Sequence, residues 1–129
     1  MQMNIDSFYM FVESINNHDV KAICSLMSDD HRFIDSHGNE AVGKEKMKNG
    51  WIGYFKFFPD YKLEIVDVFE NGDVVAAFGF ASGSFEGRSE RQGSAWRLPA
   101  AWKAVIADGK IHHWQVYADT KIPFESMKA

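Results

Sequence analysis

The chain has 129 residues, enough for one domain with a hydrophobic core of its own. With 25% charged and 46% apolar residues and a formal charge of −4, it is not composed like a disordered chain, and one cysteine, Cys24, cannot make a disulfide scaffold. No uninterrupted apolar run of about 18 residues would serve as a membrane span, and no concentrated basic face would serve nucleic acid.

Residues 1–6 have neither a basic start nor an apolar stretch of the signal-peptide kind, so a cytoplasmic protein is expected. Aromatic residues are abundant: eleven Phe, four Trp and four Tyr make up 15% of the chain. Such rings are costly to leave in water, so most must line a core, a cavity or an interface. No repeat or linker divides residues 1–129, which read as a single domain.

The first third reads as helical. Asn4 or Asp6 can cap a helix carrying Ile5, Phe8, Phe11 or Val12, and Ile15 at helical spacing. Asp19 can cap a second, short helix with Val20, Ile23, Leu26 and Met27 on its apolar side. Residues 31–36 form a short strand. A third helix follows Gly43, with Met47, Trp51, Phe55 and Phe58 near a period of 3.6, and Pro59 stops it. The remainder is β. Asn71-Gly72 turns residues 61–70 back into residues 73–82, and Asp108-Gly109 joins residues 94–107 to residues 110–120. Pro99 calls for a bulge or an edge position. Residues 83–93 read as a loop, a hairpin end or a flap. The order α-α-β-α-β-β-β-β indicates an α+β fold, with a curved antiparallel sheet wrapped around helices and an aromatic-lined pocket between them.

Strand parity selects the candidate site. His31, Phe33 and Asp35 share one face of the first strand. His112, Trp114 and Val116 share one face of the last, with His113, Gln115 and Tyr117 on the other. A carboxylate beneath aromatic rings loses hydration and gains basicity, which suits Asp35 to moving a proton, with His31 as its partner. Asp35 can equally open the turn Asp35-Ser36-His37-Gly38 by accepting backbone amides. His31, Asp35 and His37 fan out along one strand, so no metal site is expected. Cys24 reads as a small buried apolar residue.

Several strings resemble the SnoaL-like proteins of the nuclear transport factor 2-like superfamily. They are Asp29-Asp30-His31-Arg32-Phe33-Ile34-Asp35, Gly43-Lys44-Glu45 opening a helix, and Phe58-Pro59-Asp60. The closing strings are Pro99-Ala100-Ala101-Trp102, Asp108-Gly109-Lys110-Ile111 and Trp114-Gln115-Val116-Tyr117-Ala118-Asp119. The resemblance implies a cone: a bent antiparallel sheet and three helices closing a pocket, often in a homodimer made through the sheet's outer face, here with Gln115 and Tyr117. In ketosteroid isomerase, a member of the superfamily, the general-base aspartate falls on Asp35. The oxyanion tyrosine falls on Phe11, and the second oxyanion group falls at or beside Trp102. In limonene epoxide hydrolase a catalytic aspartate falls on Val116. Neither of those chemistries is complete here.

Two functions follow. The first is a cofactor-independent isomerase, cyclase or dehydratase-type enzyme acting on a small apolar carbonyl or cyclic compound. Asp35, His31 and His112 would carry its proton transfer, and Phe33, Trp51, Phe55, Trp102 and Trp114 would shape the site. The alternative is a non-catalytic small-molecule-binding or dimeric interaction module of the same fold.

Overall fold

The structure, a computed structural model, describes residues 3–88 and 95–127. Helix α1 (Asn4–Asn16) begins after Met3, and the Asp6 carboxylate accepts the Met3 amide at 3.3 Å, capping from inside the first turn. Helix α2 (Val20–Leu26) is capped by Asp19, which accepts the Ala22 amide at 3.0 Å, as its sequence suggests. Strand β1 (Met27–Ile34) follows at once, so Met27 belongs to a strand rather than to the helix before it. A three-residue strand β2 (Glu40–Val42) leads into α3 (Lys44–Phe57). The long strands β3 (Lys62–Asn71), β4 (Val74–Ser84), β5 (Ala95–Ala107) and β6 (Lys110–Ala118) come next, and a short helix α4 (Lys121–Ser126) closes the chain.

The architecture is α+β. One open sheet has the strand order β2-β1-β6-β5-β4-β3. All its pairings are antiparallel except β1 with β6, which run parallel, so the sheet is mixed where the sequence suggests a purely antiparallel one. Strand β2 and helix α4 extend the predicted element order. Pro99 pairs with Phe80, while the pairing of β5 with β6 begins only at Ala100. Pro99 therefore lies where β5 has one free edge, and a missing amide is tolerated there. Of the predicted loop at residues 83–93, Gly83 and Ser84 end β4 and Phe85–Gly87 makes a single 3-10 turn. The rest of that loop, with any flap it forms, lies largely outside the described residues.

Helix α1 packs on the inner face of the sheet through Phe8, Phe11, Val12 and Ile15, all buried. It also guards the edge strand β3. The Asn16 amide donates to the Leu63 carbonyl at 3.0 Å and accepts the Leu63 N–H at 2.7 Å, which occupies a backbone edge otherwise open to strand addition. At the far end Asn4 donates to the Gly72 carbonyl, and Glu70 accepts the Ile5 amide. Helix α3 lies over β1 and β2 instead. Among the described residues no helix is long and apolar enough to cross a membrane.

Candidate functional site

Between α3, the end of β1, β6 and α4 lies a cavity of about 420 Å3, a size that suits a small molecule. Its inner wall is aromatic and aliphatic. Phe33 on β1 pairs beside Trp114 on β6, because the parallel register sets them next to one another. Helix α3 supplies Met47, Gly50, Trp51 and Tyr54, a stripe continued one turn later by Phe58. Ala41, Tyr61, Val116, Pro123 and Phe124 complete the wall. Exposed or half-exposed polar groups gather at the mouth: Asp35, Ser36, His37, Asn39, Glu40, Lys46 and Thr120.

Asp35 stands just past the end of β1. Its Oδ1 accepts the backbone amides of His37 and Asn39, both at 2.9 Å, and its Oδ2 accepts the Asn39 side-chain amide at 3.2 Å. A carboxylate offers about four lone pairs. Three are committed to the turn, so one remains on Oδ2. The turn also holds His37, whose Nε2 lies 2.6 Å from Thr120 Oγ1 and whose ring lies 5.4 Å from that of Phe124. The start of α4 is thereby tied to the mouth. Beside it Arg32 grips Glu40 through two bonds of 2.9 and 2.8 Å, which holds β2 against β1.

His31 shares the inward face with Phe33, but it lies further back along β1, beneath α1. Its ring is fully buried, 6.3 Å from that of Phe11, and does not line the cavity. Its Nδ1 lies 2.7 Å from the Ile111 carbonyl. A carbonyl can only accept, so Nδ1 carries the proton, and Nε2 is a buried atom with no hydrogen-bond partner among the described residues. Burial pushes the pKa of this ring down, and the bond to Ile111 opposes that only in part.

His112 does not share the inward face with Trp114. Ile106 pairs with Ile111 and Val105 with His113, so His112 is the extra residue of a bulge. The bulge shifts the alternation by one, and Ile111 and Trp114 both turn inward. The His112 ring points away from the cavity, 3.4 Å from Asp30. His113 lies on the outer face beside Gln115, at 3.1 Å.

Three of the five expected ligand contacts, Phe33, Trp51 and Trp114, line the cavity, and two do not. Phe55 is rotated off the cavity stripe of α3 and stacks on His18, centroids 4.1 Å apart. Trp102 is packed into the core on the inner face of β5, 1% exposed. Sequence reasoning missed Tyr54, Phe58, Tyr61 and Val116 as wall residues. The spacing of Met47, Gly50, Trp51 and Tyr54 carried the signal for Tyr54, obscured because the stripe includes a residue with no side chain.

Residues 9–114 match the profile of the SnoaL-like domain. No curated protein matches the sequence. Among solved structures, a candidate SnoaL-like polyketide cyclase from Jannaschia sp. CCS1 is 17% identical over 98% of this chain and 92% of its own, with a TM-score of 0.82. A hypothetical protein of ketosteroid isomerase-like fold from Catenulispora acidiphila, in complex with trimethylamine, is 15% identical over 93% of this chain and 90% of its own (TM-score 0.81). TerC co-crystallised with polyporic acid is 19% identical over 98% of each chain, also with a TM-score of 0.81. At these identities the likeness speaks for the fold.

Proposed function

We propose that this chain, which belongs to the SnoaL-like domain family, binds a small, ring-bearing, largely apolar molecule in the cavity beneath α3 and moves a proton on it. One observation carries the reading: an aromatic cavity of about 420 Å3 with its polar groups collected at the mouth. Apolar walls supply affinity by taking rings out of water, and the few polar groups set orientation. That TerC was co-crystallised with polyporic acid supports a small-molecule ligand for this fold.

Asp35 is the proposed base. Its turn fixes the carboxylate, and the free lone pair on Oδ2 can take a proton from an acidic C–H beside a ligand carbonyl. His31 and His112 take no part in this proposal, since neither lines the cavity. No cofactor is needed for the step. The test uses β-tetralone, a bicyclic ketone with acidic C–H bonds, followed by NMR in D2O. The protein should speed deuterium uptake, and Asp35→Asn should cut that rate by about 100-fold or more while keeping the ketone bound. Unchanged exchange in the variant removes Asp35 from the role.

A second reading, a binding module without catalysis, is favoured by the three bonds that Asp35 spends on its own turn and by Phe11 and Val116. Binding of β-tetralone without any acceleration of exchange would select it.

The proposed assembly is a homodimer through the outer face of the sheet. Phe69, Phe78 and Tyr117 are exposed there, with Phe69 and Phe78 in edge contact at 6.2 Å. Asp67 lies on the β3 side of this patch and Lys103 toward β6, while Glu64 is already held by Arg97 of its own chain at 2.6 Å. A two-fold axis can set Asp67 of one copy against Lys103 of the other around the exposed rings, which favours a second copy as the occupant. Phe78→Glu should halve the mass seen by light scattering, and a monomeric parent protein would overturn the dimer. The proposed compartment is the cytoplasm, where the thiol of Cys24 stays reduced.

A further inference from the structure

We propose that Tyr54 and Tyr61 form a paired hydrogen-bond donor on the cavity wall that receives a carbonyl oxygen of the ligand. This rests on the cavity being a ligand site, and it narrows the ligand class to ring compounds bearing a ketone or similar acceptor oxygen.

The two rings meet edge to face, with centroids 4.9 Å apart and planes at 83°, and both line the cavity. Neither hydroxyl has a hydrogen-bond partner among the described residues, and neither is sealed from solvent as the Trp51 Nε1 of the same wall is. Without a ligand, water can accept from each hydroxyl, and a ligand oxygen would take that water's place. Trp51 and Phe58, whose rings adjoin that of Tyr54, offer no acceptor, so a ligand oxygen can fill that role. Burial raises the pKa of both phenols, and for Tyr61 the neighbouring Tyr54 adds to the effect. Both therefore stay protonated, as donors, across the physiological range.

The pair is also held in place. Tyr54 sits on α3, with the ring of Phe58 5.1 Å away. Tyr61 follows the helix end, where its amide donates to the Phe58 carbonyl at 3.0 Å and its own carbonyl accepts from His18 Nε2 at 2.8 Å. His18 is in turn stacked on Phe55. Donors fixed before the ligand arrives lose little freedom on binding it. Asp35 lines the same cavity, so one ligand can meet both the tyrosines and the carboxylate.

The test compares β-tetralone with tetralin, the same bicycle without the carbonyl. Binding is followed by the fluorescence of the cavity tryptophans Trp51 and Trp114, in the parent protein, Tyr54→Phe, Tyr61→Phe and the double variant. The parent should prefer the ketone by about tenfold or more. Each substitution should reduce that preference about threefold to tenfold and leave the affinity for tetralin unchanged. The infrared carbonyl stretch of bound β-tetralone should lie lower in the parent than in the double variant. A preference that survives in the double variant, or is missing in the parent although both compounds bind, overturns the donor pair and leaves the cavity reading intact. Failure of both compounds to bind overturns the cavity reading and the pair with it.

Discussion

Helices α1 and α3 cover the same face of one sheet with opposite results. Helix α1 delivers Phe8, Phe11, Val12 and Ile15 to the interior and fills it. The rings of Phe8 and Phe11 lie 5.5 and 4.8 Å from that of Trp114. Helix α3 buries only Met47 and Trp51, and Gly50 and Gly53 leave gaps in its surface. The filled half has a ring or a branched aliphatic side chain at each of these inward positions. The open half has the same kind of walls and lacks the side chains that would close them. Stability is therefore concentrated under α1 and the proposed binding under α3, and Trp114 belongs to both.

The sharpest test is a matched pair of truncations. Phe11 is fully buried in the filled half, so Phe11→Ala should cost about 3–5 kcal/mol. Phe33 is half-buried and already faces empty space, so Phe33→Ala removes less contact and should cost about 1–2 kcal/mol. Urea unfolding measures both, and equal losses would end the distinction between the halves. Next comes Asn16→Ala, which leaves the Leu63 N–H and C=O of the edge strand without their partners. A loss of about 1–3 kcal/mol is expected, while tetralin binding in the open half should not change.

His31 adds a pH test of the filled half. Its ordinary pKa is 6.5, and burial lowers it in the folded state. Between those two values the unfolded chain binds a proton that the folded chain refuses, so acid favours unfolding. The folded protein should keep its full stability above about pH 6.5 and lose part of it as the pH falls toward the depressed value. In His31→Asn, where the side-chain amide can still donate to the Ile111 carbonyl, that part of the slope should vanish. Melting temperatures between pH 7 and 5 measure it, and an identical slope in the variant would show that His31 is not its source.

Most of this division can be read from the sequence, for reasons that are local. Asp19 caps its own helix, Asn71-Gly72 and Asp108-Gly109 turn their own hairpins, and Phe8, Phe11 and Ile15 keep one helical face. What escaped depends on distant partners. Strand β2 has three residues, too few to show a period. The parallel pairing of β1 with β6 joins segments about eighty residues apart. Helix α4 carries Pro123 in its first turn, where proline is tolerated although it reads as a break. The bulge at His112 adds one residue without any change in composition, and it reverses every face assignment before it on the strand. Asp35 shows the limit from the other side. Its position at the end of β1 follows from parity, but the three bonds to its turn follow from Asn39 and the fold of the loop.

The smallest effect tests why the open half stays open. Gly53 lies inside α3, and a Cβ placed there would meet nothing within 4 Å. Gly53→Ala should therefore raise stability by roughly 0.5–1 kcal/mol, because alanine has less chain freedom to lose in a helix. The corresponding rise in melting temperature is about 3 °C. Gly50 lies on the cavity wall, where an added Cβ would rest 3.8 Å from the end of the Met47 side chain, an ordinary contact. Gly50→Ala should give the same helical gain, but its methyl group enters the ligand's space. If α3 is held back from a better helix by the need for room, only the Gly50 variant should lose affinity for β-tetralone. Loss in neither variant would mean that the ligand lies elsewhere along the wall, nearer Val116 and Pro123, and that Gly50 is simply a weak point of the helix.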